Sequence, residues 1–195
     1  EQDYDAVRFN LNKYDDNPNV EALLFRWLHF FGSYNRIGVG RQWYRREVRV
    51  FRNTGNVTSW ADAQGFRVKN SDGSMRKIRA VQTDARIFHY GWVRHPRIQV
   101  AKAHAFQRLY HDDAWLRANI PTSDEFQYYC FETAPFTGTH PASMNEAIER
   151  DREWTSKFDP VKAKAKRPFA VAVTDWFEKK TGIRVGEFKN FTEVA

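Results

Sequence analysis

Residues 20–31, VEALLFRWLHFF, decide how this chain is read. They form a nearly continuous apolar run of strand length. The turn cluster Asp15, Asp16, Asn17 and Pro18 leads into it, and Gly32 and Ser33 lead out. An apolar run rich in aromatic residues and bounded by turn signals is expected to be a buried β-strand, a helix being the alternative. Outward from it, residues 5–14 carry a weak helical pattern with Ala6, Phe9 and Tyr14. Gly32, Ser33, Gly38 and Gly40 predict a loop. Residues 42–52 (QWYRREVRVFR) alternate as a strand does. Residues 64–69 and 76–82 flank Asn70-Ser71-Asp72-Gly73, a hairpin signal, and residues 85–90 predict one more short strand ending at Gly91.

After Pro96 the period changes. Ile98, Ala101, Ala105 and Leu109 recur at helical spacing behind a front proline. Residues 114–119 are expected to form a second short helix or an extension of this one, and further helices are expected at 141–154 and 169–180, the last closed by Thr181-Gly182. Residues 160–167 make a basic linker, and residues 124–136 give no clear pattern. The expected fold is therefore α/β, a mixed β-sheet followed by C-terminal helices, with a β-rich part over 1–95 and a helical part over 96–195.

The chain has 195 residues, 42% of them hydrophobic and 16% aromatic, enough for a sizeable core. No apolar run of about 18 residues exists that would cross a membrane as a helix. The single Cys130 excludes an intramolecular disulfide and a four-cysteine zinc site. Net charge is +7 with a pI near 9.6, which favours an anionic partner: nucleic acid, a phosphorylated substrate or an acidic membrane face. The chain starts with Glu-Gln-Asp-Tyr-Asp and reads as the middle of a domain.

Chemistry concentrates in two segments. In the first, residues 41–67, Trp43, Tyr44, Arg46 and Glu47 are followed by Asp62, Gln64 and Arg67. Guanidinium groups bind phosphate oxygens in bidentate fashion, and a carboxylate can take a proton from a hydroxyl. A solvated ion-pair ladder on a strand is the commoner outcome for such arginines. Asp62, among small and aromatic neighbours, is either a base or a turn-former. In the second segment, His89, Tyr90, Gly91, Trp92 and Arg94 lie between a predicted strand and a predicted helix, where α/β folds place ligands. His89 is a candidate metal ligand or proton carrier, although a histidine beside aromatics is more often structural. No glycine-rich phosphate loop and no nucleophile elbow is present.

These segments carry a resemblance. Leu28-His29-Phe30-Phe31-Gly32-Ser33-Tyr34, Trp43-Tyr44-Arg45-Arg46-Glu47-Val48-Arg49, Asp62-Ala63-Gln64-Gly65-Phe66-Arg67 and His89-Tyr90-Gly91-Trp92-Val93-Arg94 follow one another. Phe136-Thr137-Gly138-Thr139-His140-Pro141 comes next, and Gly186-Glu187-Phe188-Lys189-Asn190 closes the series. In this order they resemble the C-terminal part of bacterial family 2 glycosyltransferases. The resemblance implies a partial GT-A fold whose nucleotide-binding half precedes this chain. It implies a nucleotide-sugar donor, a glycan or lipid-linked acceptor, and a divalent metal, Mg²⁺ or Mn²⁺. It further implies a cytoplasmic location at the periphery of the inner membrane and the option of a homo-oligomer. Asp62, with Glu47 second, takes the role of catalytic base, and His89 that of metal ligand. Trp43, Tyr44, Arg46, Gln64, Arg67, Tyr90, Trp92 and Arg94 take that of substrate contacts. Non-catalytic carbohydrate or nucleic-acid binding is the alternative, since the same aromatic and arginine set would serve it, and an inactive fragment is another.

Overall fold

In the computed structural model the run at residues 20–31 is a strand, β1 (Ala22–Phe31). Its unbroken apolar character has a direct cause. Ala22 and Leu24 enter one apolar cluster with Val48, Val68, Ile78, Ala80 and Phe191. Leu23 and Phe25 enter another with Val20, Val81 and Ala85. A strand covered on both faces has no polar positions to alternate. The structure describes residues 2–61, 65–120, 128–187 and 189–194. Among these, the architecture is α/β, with a mixed sheet and five α-helices.

The other elements are α1 (Gln2–Tyr14), β2 (Ser33–Gly38), β3 (Arg46–Phe51), β4 (Val57–Trp60), β5 (Gly65–Lys69), β6 (Met75–Trp92), α2 (Pro96–Gln107) and α3 (Asp113–Asn119). Then come β7 (Thr133–Pro135), a 3₁₀ turn (Ala142–Met144), α4 (Asn145–Thr155), α5 (Phe169–Thr181) and β8 (Phe191–Glu193).

The chain divides into two units. The first comprises Glu1–Leu28, Tyr44–Phe88 and Thr174–Ala195. In it β3 runs antiparallel to β1, with Ala22 opposite Phe51 and Arg26 opposite Arg46, and a bulge falls between Leu23 and Leu24. β5 pairs antiparallel with both β4 and β6. β8 pairs parallel with β6, Ile78 opposite Phe191, which makes the sheet mixed. The predicted hairpin joins β5 to β6: Gly73 has φ +83°, and its N–H donates to the Asn70 carbonyl at 3.0 Å.

The second unit comprises His29–Trp43 and His89–Val173. Here β2 pairs antiparallel with the end of β1 and with β7. Phe31, Trp43, Cys130 and Ala163 form its core with Trp92, Tyr128 and Phe158 around them. α2 starts at Pro96, and the His95 side chain caps it by accepting from the Arg97 N–H at 3.4 Å. α3 is capped by Asp112, which accepts from the Trp115 N–H at 2.8 Å.

Two expectations change. Residues 33–38 form a strand where glycine density predicted a loop, because Gly32 supplies only the tight turn between β1 and β2 (φ +69°). The two strands expected over 76–82 and 85–90 are one strand of 18 residues, continuing through Gly91 to Trp92. Thr83, buried at its middle, donates its hydroxyl to the Leu24 carbonyl and accepts from the Ala85 N–H, so no turn forms there.

Candidate functional site

In the first unit the candidates gather around Glu47. β3 places this carboxylate inside, 7% exposed, and Oε2 has no hydrogen-bond partner among the described residues. Burial raises its pKa above the ordinary carboxylate value. The Arg49 charge and a hydrogen bond from the Asn190 side chain oppose the rise without cancelling it. Asn190 is held from two sides. A Cβ on Gly65 would lie 2.5 Å from the Asn190 Cβ, so only glycine permits that approach. The Asn190 carbonyl accepts from Arg67 Nη1 at 3.1 Å. Arg67 is buried, and its guanidinium stacks 4.9 Å from the centre of the Trp60 ring.

Arg46 is engaged by Glu193 at 2.7 Å and by the Phe191 ring at 5.6 Å. Tyr44 meets Trp27 edge-on at 5.3 Å. Burial pushes its hydroxyl pKa up, with Arg49 opposing and Glu47 adding to the rise. Asp62 and Gln64 lie outside the described residues. The residue just before Asp62 is Ala61, and it holds a left-handed backbone (φ +51°). A non-glycine residue in that region costs on the order of 1 kcal/mol, and such strain clusters at functional sites.

In the second unit His89 faces His29, their Nδ1 atoms 3.3 Å apart, so one ring donates and the other accepts. His29 is buried and lies 4.8 Å from the Trp43 ring. Trp43 fills the space where Gly38 lacks a side chain and donates its indole N–H to Cys130 Sγ at 3.3 Å. Burial pushes the Cys130 thiol pKa up, which fits a core group. Tyr90 stacks on Phe30 at 4.6 Å, and its hydroxyl lies 2.8 Å from His140 Nδ1. Burial raises the Tyr90 pKa and lowers that of His140, the latter opposed by a hydrogen bond to the Tyr34 backbone. Trp92 packs on Phe31 and Trp43, with the Lys102 ammonium 5.6 Å from its ring centre. The Arg94 side chain is exposed, and its carbonyl accepts from the Tyr128 hydroxyl.

The second unit also holds a cleft of about 620 Å³, a size that suits a small ligand. Rings of Tyr128, Trp154, Phe158 and His95 line it, together with Lys157, Lys162 and Asp159. Asp159 Oδ1 accepts the N–H groups of Val161 and Lys162. Trp154 and Phe158 were not legible as site residues because Trp154 closes a strongly charged helical stretch that reads as a solvated face and Phe158 stands alone beyond it. The alternation of ring and lysine over Trp154, Lys157 and Phe158 is the one available signal.

Among the described residues, no group of three or more His, Cys, Asp or Glu side chains converges as a metal shell. Comparison of the chain with protein-family models, with curated proteins and with solved structures found no match.

Proposed function

We propose that the chain is the acceptor-side part of an inverting glycosyltransferase of GT-A type, which moves a sugar from a nucleotide-sugar to a hydroxyl of a glycan or lipid-linked acceptor. The observation that carries this is the state of Glu47. A carboxylate held out of water, with one oxygen uncommitted and its proton affinity raised, is suited to take a proton from a hydroxyl. Asp62, three residues before Gly65 in the sequence, is the carboxylate that the resemblance ranks first as base.

In the step, the acceptor oxygen forms a bond to the anomeric carbon as the bond from that carbon to the diphosphate oxygen breaks. The electron pair leaves on the diphosphate, and the acceptor proton goes to the carboxylate. A divalent ion, Mg²⁺ or Mn²⁺, would stabilise the charge growing on the diphosphate. His89 is the position assigned to it; it has one imidazole neighbour and no three-ligand set among the described residues, so no step here is routed through it. The proposal includes action at the cytoplasmic face of the inner membrane.

The test is transfer by the full-length protein given nucleotide-sugars, Mg²⁺ or Mn²⁺ and glycan acceptors. Glu47→Gln keeps the side-chain shape and removes the base, and a loss of about 10²–10⁴-fold is expected if Glu47 is that base. A loss on that scale for Asp62→Asn with Glu47→Gln near wild type moves the role to Asp62. The cleft favours a second reading, carbohydrate binding without transfer, because aromatic rings cover sugar faces while Asp159 and the lysines meet hydroxyls and anions. Saturable glycan binding in a protein that transfers nothing supports it.

A further inference from the structure

Helix α5 is built inside out. Asp175 and Glu178, three residues apart, are buried at 4% and 9% exposure, and Glu178 is ion-paired with Arg45. Its apolar residues stand outside: Phe169 is 84% exposed, Val173 47% and Trp176 62%. Spacings of four, three and seven residues put these on one stripe of the helix. A helix that anchors its carboxylates inward and presents Phe, Val and Trp to solvent has its apolar face unspent. Exposed apolar stripes of this kind mark interaction surfaces.

The charges around the stripe select the partner. Lys179 and Lys180 are exposed in the last turn, Lys180 falling four residues after Trp176 on the same stripe. Lysines bury their methylene stems and keep the ammonium at a polar boundary. Exposed Lys164 and Lys166 precede the helix in sequence. With a tryptophan amid the apolar residues and no acidic residue exposed on α5, this is the composition of a helix lying in a lipid interface. We infer that α5 docks the protein on an anionic lipid surface, its Phe169–Val173–Trp176 stripe entering the headgroup boundary and Lys179 and Lys180 meeting the lipid phosphates. This deepens the transfer proposal by naming the surface on which a lipid-linked acceptor is met, and it rests on that proposal for its purpose alone.

The experiment needs no transfer. The chain is sedimented with phosphatidylcholine vesicles with and without phosphatidylglycerol. It pellets with the anionic vesicles, stays in solution with the neutral ones, and is released by salt. Val173→Asp with Trp176→Asp weakens the partition about tenfold or more, as does Lys179→Glu with Lys180→Glu. Phe169→Ser, at the most exposed of these positions, gives a smaller loss in the same direction, and circular dichroism checks that each variant is folded. No pelleting with anionic vesicles, or pelleting unchanged in folded Val173→Asp/Trp176→Asp, overturns the inference. So does a dimer in solution that these substitutions dissolve, because the stripe is then covered by a second copy. Failure on vesicles leaves the transfer assay as it stands, and failure of transfer leaves the vesicle result as it stands.

Discussion

Glu47 is a destabilising residue by the logic of its own burial. Its folded pKa lies above the unfolded value, so the folded state binds the proton more tightly, and this residue's contribution falls as pH rises from the ordinary carboxylate range. Glu47→Gln is therefore expected to raise stability at pH 7, by about 0.5–1 kcal/mol in chemical denaturation, while lowering transfer. A merely structural carboxylate would lose stability instead. Gly32 is constrained from two directions. Its φ is +69°, and an added Cβ would lie 2.1 Å from the Phe158 ring. Gly32→Ala is expected to cost about 2–3 kcal/mol, read as a shift in denaturation midpoint at unchanged m. At Ala61 the sign reverses. Glycine relieves the left-handed backbone, and Ala61→Gly is expected to raise stability by about 0.5–1 kcal/mol.

Among the elements, β1 was legible because its two buried faces wrote an unbroken apolar run. The β5–β6 hairpin was legible because Gly73 needs positive φ. The helices from Pro96 onward were legible from period and caps. β2 was hidden by glycines that serve the turn and the Trp43 contact rather than a loop. β7 and β8 are three residues each, too short to show a period. At β6, Thr83 and Asp84 broke the apolar pattern although a buried hydroxyl carries the strand through.

The junction of β1 and β6 also yields a pH dependence. Burial alone would raise the Glu21 carboxyl pKa, but hydrogen bonds from Arg76 and Arg79 outweigh it and hold the value at about 2. A depressed carboxylate stabilises the fold above its unfolded pKa of about 4.5, and this is lost as pH falls toward 2. Glu21→Gln is expected to cost about 1–2 kcal/mol at pH 7, and the gap from wild type should close between pH 4.5 and 2 in acid titration of stability. A gap that does not depend on pH contradicts the assignment.

At the scale of the whole molecule, the candidate site was legible by residue type and not by arrangement. The Trp, Tyr, Arg and carboxylate set of the sequence resolves into a Glu47–Asn190–Arg67 group in one unit and a His29–His89–Trp43 group in the other. Sequence order cannot show which members share a unit, because Trp43 and Tyr44 are neighbours in the chain and belong to different units. The +7 charge suits anionic substrates and an anionic surface alike. The decisive measurement is sugar transfer from labelled nucleotide-sugars by the full-length protein, wild type beside Glu47→Gln and Asp62→Asn. A glycosyltransferase of this kind gives metal-stimulated transfer with inversion at the anomeric carbon, and that transfer collapses in at least one of the two variants. Absence of transfer across donors and acceptors, or full activity in both variants, would contradict the transfer proposal.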